Sequence, residues 1–374
     1  MRWSRPAPRI RDAPMNNPWS ALRRRLTSLL PRQRPRLSWW LPRLPRLARL
    51  PRLAKLPPVP GGLRLWITLV SLGFVMAALL SHGRQLLQLS LDGQGWLWLL
   101  LGVGLNLLCL LVNGLAWGAI LRWFSLRPRW EGVVSLYLAT NLRKYLPGNI
   151  WHLASRVQAL RAGPPAAPLA GPLSTPMALL VTLLDPLLAA VSSLALMALA
   201  GWRNGFELVG LLPLLLLLPR WLNPLLLLLE RKRARSLGLE RELEREAVGP
   251  ADEARVRGYP WPPLLAQLVF VLLRFAGFAC CVWAFDLQLS TDWLLWLAGF
   301  CLAWTAGLVV PGAPGGLGVF EAVLLLRLGG AIPEPSLLAV ALSYRLIVTI
   351  ADLLAAGLVF LDGRLARAWP SRLV

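Results

Sequence analysis

Long apolar stretches limit this chain to one broad class of structure. From Leu65 onward, apolar segments of about 20 residues recur along the sequence, and about 20 residues is the length that a helix needs to cross the hydrocarbon core of a bilayer. Only 16% of the 374 residues are charged, against about a quarter in soluble proteins. These features exclude a water-soluble enzyme, a disordered regulator and a small disulfide-stabilised domain. They predict an all-α, polytopic helical membrane protein with about 7–8 spans.

The apolar segments divide the chain into a membrane domain and its flanks. The transmembrane domain is predicted to cover residues 64–362, between a basic arm at 1–63 and a short tail at 363–374. A short apolar helix that ends at Leu328 supplies the eighth crossing if it counts as one. The seven predicted spans lie at about residues 65–80, 96–123, 173–200, 207–229, 263–285, 293–310 and 337–361.

Positive charge is concentrated beside these spans. The net charge is +22, and the first 64 residues hold 16 of the 40 Lys and Arg residues but a single acid, Asp12. Basic tails and loops follow the positive-inside rule and attract anionic lipid head groups, so membrane lipids are the predicted partners and nucleic acid is not. We expect a plasma-membrane protein with a cytoplasmic N-terminus and a cytoplasmic loop at about residues 230–260.

The arm at residues 1–63 is rich in Pro and Arg and contains a three-residue repeat between Leu41 and Pro57. Proline at this density prevents a helix and favours polyproline II, which turns once in three residues and would align Arg43 with Arg46. Two interpretations stay open. The arm is either a strip that lies on anionic lipid or a disordered cytoplasmic tail that fixes the topology.

Two parts of the membrane domain align at a fixed offset of 167 residues. A stretch that contains Asp185 matches one that contains Asp352, and the Pro-Gly pair at 147–148 falls on another at 314–315. Each half is therefore predicted to contain a loop broken by Pro-Gly, a short helix and a span with one buried aspartate. Because transporters are often built from two such repeats, we predict an internal duplication with two re-entrant elements.

The first broken loop gathers basic, aromatic and imidazole side chains. Non-helical backbone at membrane depth survives only where it is buried in protein or lines a wet cavity. Arg143 and Lys144 are therefore either phosphate ligands or interfacial side chains that reach towards head groups. His152 is expected to be a hydrogen-bonded interfacial residue rather than a proton shuttle. The candidate lipid-binding residues here are Arg143, Lys144, Tyr145, Pro147, Gly148, Asn149, Trp151, His152 and Arg156.

The second broken loop, at residues 311–318, is rich in glycine. Glycine permits a positive φ, so several backbone N–H groups can point into one concavity and bind an anion. The helix that follows would direct its positive N-terminus to the same place, which suits a phosphate head group. Glu321, in its first turn, would either cap this helix or pair with a cation. The candidate lipid-binding residues here are Pro311, Pro314, Gly315, Gly316, Gly318 and Glu321.

Four ionisable side chains fall inside apolar segments, at Asp185, Arg274, Arg345 and Asp352. Such groups are costly in a membrane and are functional candidates for that reason. Arg345 and Asp352 are seven residues apart and share a helix face, so a pair between them is predicted, and Asp352 would also be able to face Arg274. Asp185 has no evident partner in the sequence, so a functional role is predicted for it and a structural role for Asp352.

The motifs at residues 141–156 and 311–322 together resemble the membrane domain of lysylphosphatidylglycerol synthases and related flippase-like bacterial membrane proteins. The resemblance covers about residues 64–362. The Tyr-Arg pair at 344–345 fits it, whereas Val-Thr at 181–182 stands where that family often has Glu-Arg. The resemblance implies a flippase-like fold with re-entrant elements and a role in moving or handling polar lipids.

The function predicted from these features is a lipid flippase or transporter for anionic or polyprenyl-phosphate-linked lipids. The alternative is an accessory protein that presents lipid to a separate glycosyltransferase or lipid synthase without transporting it. No enzyme activity is predicted, since the sequence lacks a nucleophile elbow, an HExxH motif and a P-loop. The aminoacyl-transfer domain of full synthases is also absent, so lysine transfer is not expected. No cofactor or metal is predicted.

Overall fold

A computed structural model describes residues 91–145, 150–163, 168–202, 206–237, 256, 258–287, 293–310 and 314–368. The basic arm at 1–63 and the first predicted span at 65–80 lie outside these residues. Most of the predicted cytoplasmic loop at 230–260 does as well, apart from a helix that continues to Leu237. The account that follows concerns the described residues alone.

Every regular element in the described ranges is helical, which confirms the all-α prediction. Three short 3₁₀ turns, at Leu142–Tyr145, Phe206–Leu211 and Pro314–Gly316, separate some of the helices. The α-helices are α1 (Gly93–Trp123), α2 (Trp130–Asn141), α3 (Trp151–Ala162), α4 (Thr175–Ala200), α5 (Leu212–Leu216), α6 (Pro219–Leu237), α7 (Trp261–Ala284), α8 (Trp293–Val309), α9 (Val319–Leu328) and α10 (Glu334–Ala368).

Four of these helices are long and apolar enough to cross a membrane: α1, α4, α7 and the Glu334–Arg364 part of α10. A fifth candidate is the pair Glu207–Leu216 and Pro219–Lys232, which is bent by 84°. The bend falls just before Pro219, because proline has no N–H and is best tolerated in the first turn of a helix. Helix α8 is apolar but has only 17 residues. This set of helices is compatible with a multi-pass membrane protein.

The ends of the helices follow local signals. Helix α1 begins after Asp92, whose side chain accepts a hydrogen bond from Gly95 N at 2.6 Å, as expected of an N-cap. Helix α10 continues to Ala368, beyond the predicted end of the last span at residue 361. The first residues of the predicted tail at 363–374 are therefore helical.

Aromatic packing positions the second broken loop. Phe278 of α7, Phe300 of α8, Phe320 of α9 and Tyr344 of α10 are all buried and in mutual ring contact, with centroids 5.0–6.3 Å apart. This cluster holds α9 and α10 against α7 and α8. The Gly-rich turn that precedes α9 is thereby fixed at the edge of a cavity.

Candidate functional site

A polar cavity of about 180 Å³ lies among the helices; we call it the central cavity. Its described lining comes from both sequence halves and includes the two 3₁₀ turns that belong to the broken loops. Asp185 contributes the one carboxylate among the described lining residues. The cationic side chains in that lining are Lys144, Arg156, Arg274 and Arg345. The cavity therefore presents an excess of positive charge within a largely apolar helical protein.

Lys144 binds Asp352. The ammonium nitrogen lies 2.7 Å from Asp352 Oδ2, and the carboxylate also accepts from Tyr145 Oη at 2.6 Å and from Asn141 Nδ2 at 2.7 Å. Lys144 lies in the 3₁₀ turn, outside the long apolar helices, and burial lowers its pKa although the Asp352 charge opposes that shift. The pKa of Tyr145 is raised by burial and by Asp352. The first broken loop is thus attached to α10 through one carboxylate.

Arg156 of α3 binds Asp185 of α4. The two side chains are 1% and 4% exposed, and Arg156 Nη1 lies 3.2 Å from Asp185 Oδ2. The carboxylate also accepts from Tyr137 Oη at 3.1 Å and from Gln267 Nε2 at 2.7 Å. The guanidinium stacks on Tyr137, 3.6 Å from the ring centroid, and donates to Thr140 at 3.1 Å. The prediction that Asp185 has no partner is therefore wrong.

Arg345 binds the second broken loop instead of Asp352. Its Nε donates to Glu321 Oε1 at 2.9 Å and its Nη2 donates to the Gly316 carbonyl at 2.6 Å, while Nη1 reaches the Gly315 carbonyl. The predicted pair of Arg345 with Asp352 is therefore wrong, because each residue has a nearer partner on another segment. Arg345 ties the loop carbonyls and the start of α9 to α10.

Glu321 is buried, with 1% exposure, and has both of the roles that the sequence allowed. Its Oε2 accepts a hydrogen bond from Gly318 N at 2.7 Å and so caps α9, while Oε1 binds Arg345. Gly315 and Gly316 have φ values of +59° and +76°, the left-handed conformation that glycine tolerates. The positive end of α9 is thus occupied by the protein's own carboxylate.

Arg274 of α7 differs from the other three cations because it makes no salt bridge with any described residue. The residue is 9% exposed, and its Nη1 donates to Asn106 Oδ1 at 3.3 Å. Its Nε is buried without a hydrogen-bond partner. The prediction that Asp352 could face Arg274 is not met by a contact, since Asp352 binds Lys144, Tyr145 and Asn141.

The structure brings together most of the predicted site residues that it describes. Lys144, Tyr145, His152, Arg156 and Gly315 all line the central cavity. The others are placed as follows: Gly316, Gly318 and Glu321 form the loop and cap beside it, Trp151 is 49% exposed, and Arg143 is exposed and donates to Ser155. Outside the described residues lie Pro147, Gly148, Asn149 and Pro311, and only the backbone of Pro314 is described.

Three residues of the site were missed by the sequence analysis. Tyr137, Asn141 and Gln267 each donate a hydrogen bond to one of the two buried aspartates. Gln267 left a signal, since a lone amide within the apolar run of α7 must find a partner when it is buried. Tyr137 and Asn141 left none, because a tyrosine or asparagine near a helix end is usual.

No protein-family model and no curated protein matched the chain, so we infer the chemistry of the cavity from its own residues. Cationic and neutral donors face one space, and arginine in particular presents a fork of N–H groups that fits phosphate oxygens. Within the described residues, no cluster of His, Cys, Asp and Glu could hold a metal ion. The arrangement is suited to binding a polar anion rather than to acid–base chemistry.

Proposed function

We propose that the protein is a lipid flippase or transporter that handles anionic or polyprenyl-phosphate-linked lipids. The observation that carries this proposal is the central cavity, in which Lys144, Arg156, Arg274 and Arg345 face one space between apolar helices. Charged side chains inside membrane helices are rare and usually mark a substrate or ion pathway.

The physical requirement for moving a lipid is a polar path beside an apolar one. A head group that leaves water loses its hydrogen bonds, and each unsatisfied polar group in hydrocarbon costs several kcal/mol. The cavity offers ammonium, guanidinium, hydroxyl and amide donors to such a head group. The exposed faces of α1 and α7 are rich in leucine, valine and tryptophan, so acyl chains can stay against apolar surface.

We further propose that the chain has the flippase-like fold of lysylphosphatidylglycerol synthase membrane domains, with two duplicated halves and about 7–8 spans in the plasma membrane. The contacts of the aligned aspartates support the duplication: Asp185 and Asp352 are both buried, and each binds a cation from the segment between residues 144 and 156. The approach of the two broken loops supports it as well, since a Cβ atom on Gly315 would lie 3.1 Å from the Tyr145 ring.

Translocation can be tested with the full-length chain in liposomes that contain fluorescent phosphatidylglycerol. Dithionite destroys the fluorophores on the outer leaflet, and a further loss of fluorescence reports lipid that has moved from the inner leaflet. The proposal predicts this further loss with the protein and none in protein-free liposomes. Head-group binding without translocation would instead favour an accessory protein that presents lipid to a separate glycosyltransferase or lipid synthase.

A further inference from the structure

The charges around the central cavity do not balance. Lys144 with Asp352, Arg156 with Asp185 and Arg345 with Glu321 form three salt bridges. Each pair is neutral as a unit, whichever partner holds the proton. The fourth cation, Arg274, has no carboxylate partner among the described residues, so this part of the molecule carries one uncompensated positive charge.

Arg274 cannot reach water along its own helix. It lies 13 residues after Trp261 and 10 before Ala284 in α7, so it is about 15 Å from the nearer end at 1.5 Å per residue. An arginine side chain is too short to cover that distance and place its guanidinium at the membrane surface. The charge therefore has to be stabilised inside the protein.

The contacts that Arg274 makes inside the protein leave much of its guanidinium unused. A guanidinium has five N–H donors and does not lose its proton in proteins. Asn106 offers a neutral amide oxygen at 3.3 Å, Phe270 lies 6.0 Å from the guanidinium carbon, and Nε has no partner. A neutral acceptor satisfies one hydrogen bond and leaves the charge in place.

We propose that Arg274 binds the phosphate of a phospholipid that carries a single net negative charge, so that the bound phosphodiester completes the charge balance of the central cavity. This inference rests on the proposed function and narrows it to a lipid with a phosphodiester and an uncharged head group. A zwitterionic lipid would bring no net charge to the site. A diphosphate-linked polyprenyl lipid would bury a second negative charge that has no counterion.

Binding can be measured with short-chain dihexanoyl phosphatidylglycerol and the purified full-length chain in a neutral detergent. The wild type is expected to bind this probe at least tenfold more tightly than dihexanoyl phosphatidylcholine, farnesyl diphosphate or glycerol 3-phosphate. The last compound distinguishes a lipid from a free anion that carries the same phosphate. Equal or tighter binding of farnesyl diphosphate would overturn the single-charge assignment, and equal binding of glycerol 3-phosphate would overturn the lipid assignment.

Two substitutions test the same charge from opposite sides. Arg274→Gln removes the uncompensated cation, and Asn106→Asp places a carboxylate next to it. Each is expected to weaken phosphatidylglycerol binding at least tenfold, with Arg274→Lys intermediate. The matched controls are Arg364→Gln at an exposed position and Asn223→Asp, whose side chain bonds to the Val256 backbone away from the cavity. Both controls are expected to bind as the wild type does.

A melting temperature without lipid separates binding from folding. Arg274→Gln removes a buried charge that has no partner, so it is expected to melt at or above the temperature of the wild type. Weak binding together with a lower melting temperature would assign Arg274 a structural role and overturn the inference. Wild-type binding in both Arg274→Gln and Asn106→Asp would overturn it as well.

The same variants distinguish this inference from the proposed function. If liposomes show no translocation but phosphatidylglycerol binding depends on Arg274, transport is wrong and the assignment of Arg274 stands. If translocation occurs and is unchanged in Arg274→Gln, transport stands and the assignment of Arg274 is wrong.

Discussion

The salt bridge between Asp185 and Arg156 can be broken by Asp185→Asn, which removes one charge and hardly changes the size of the side chain. Arg156 is 1% exposed and stays protonated in proteins, so its charge would be left buried without a counterion. Breaking a buried pair in this way costs about 3–5 kcal/mol. The asparagine carbonyl still accepts one hydrogen bond from Gln267 or Tyr137, so most of the loss comes from charge.

The free energy of unfolding can be measured by denaturant titration in mixed micelles, with Asp362→Asn as the control. Asp362 lies on α10 and is exposed, so the control should stay within about 0.5 kcal/mol of the wild type. The double variant Arg156→Gln, Asp185→Asn removes both charges and should recover stability, with a coupling energy of about 2 kcal/mol or more. Additive effects, or a loss below about 1 kcal/mol in Asp185→Asn, would refute the reasoning.

Three further substitutions have defined outcomes. Gly315→Leu should abolish lipid translocation in liposomes, because Gly315 has a φ of +59°, whereas Gly357→Ala should retain it, because open space surrounds Gly357. Arg345→Lys should lower the free energy of unfolding by about 1–3 kcal/mol in the micelle titration, because an ammonium group cannot reproduce the planar fork that binds one carboxylate and two carbonyls. Asp352→Asn should cost about 2 kcal/mol in the same titration, since Lys144, which is 16% exposed, can lose its proton. Wild-type behaviour in any of these variants would contradict the contact on which it rests.

The apolar helices could be predicted closely from the sequence. The spans predicted at 173–200, 263–285 and 293–310 are helices at Thr175–Ala200, Trp261–Ala284 and Trp293–Val309. A long apolar segment has to satisfy its backbone hydrogen bonds within itself, so hydropathy alone locates it. Helix α10 is the exception, because hydropathy marks where the apolar run stops and the backbone continues as a helix to Ala368.

The salt bridges could not be predicted in the same way. Arg345 and Asp352 are about 10 Å apart along one helix at 1.5 Å per residue, and each meets a closer partner that tertiary packing supplies. Asp352 binds Lys144, which is 208 residues away in the sequence, and Asp185 binds Arg156 on a separate helix. Spacing within one helix gives no information about such contacts. What the sequence did indicate was that the charged side chains of the broken loops and the intramembrane charges belong together.

The central claim is that the protein moves an anionic lipid through the cavity that its cations line. The most direct test is the rate at which fluorescent phosphatidylglycerol and fluorescent phosphatidylcholine leave the inner leaflet of liposomes that contain the full-length chain. The account predicts that phosphatidylglycerol moves faster with the protein than without it, and faster than phosphatidylcholine in the same vesicles. Rates equal to those of protein-free liposomes for both lipids would contradict it.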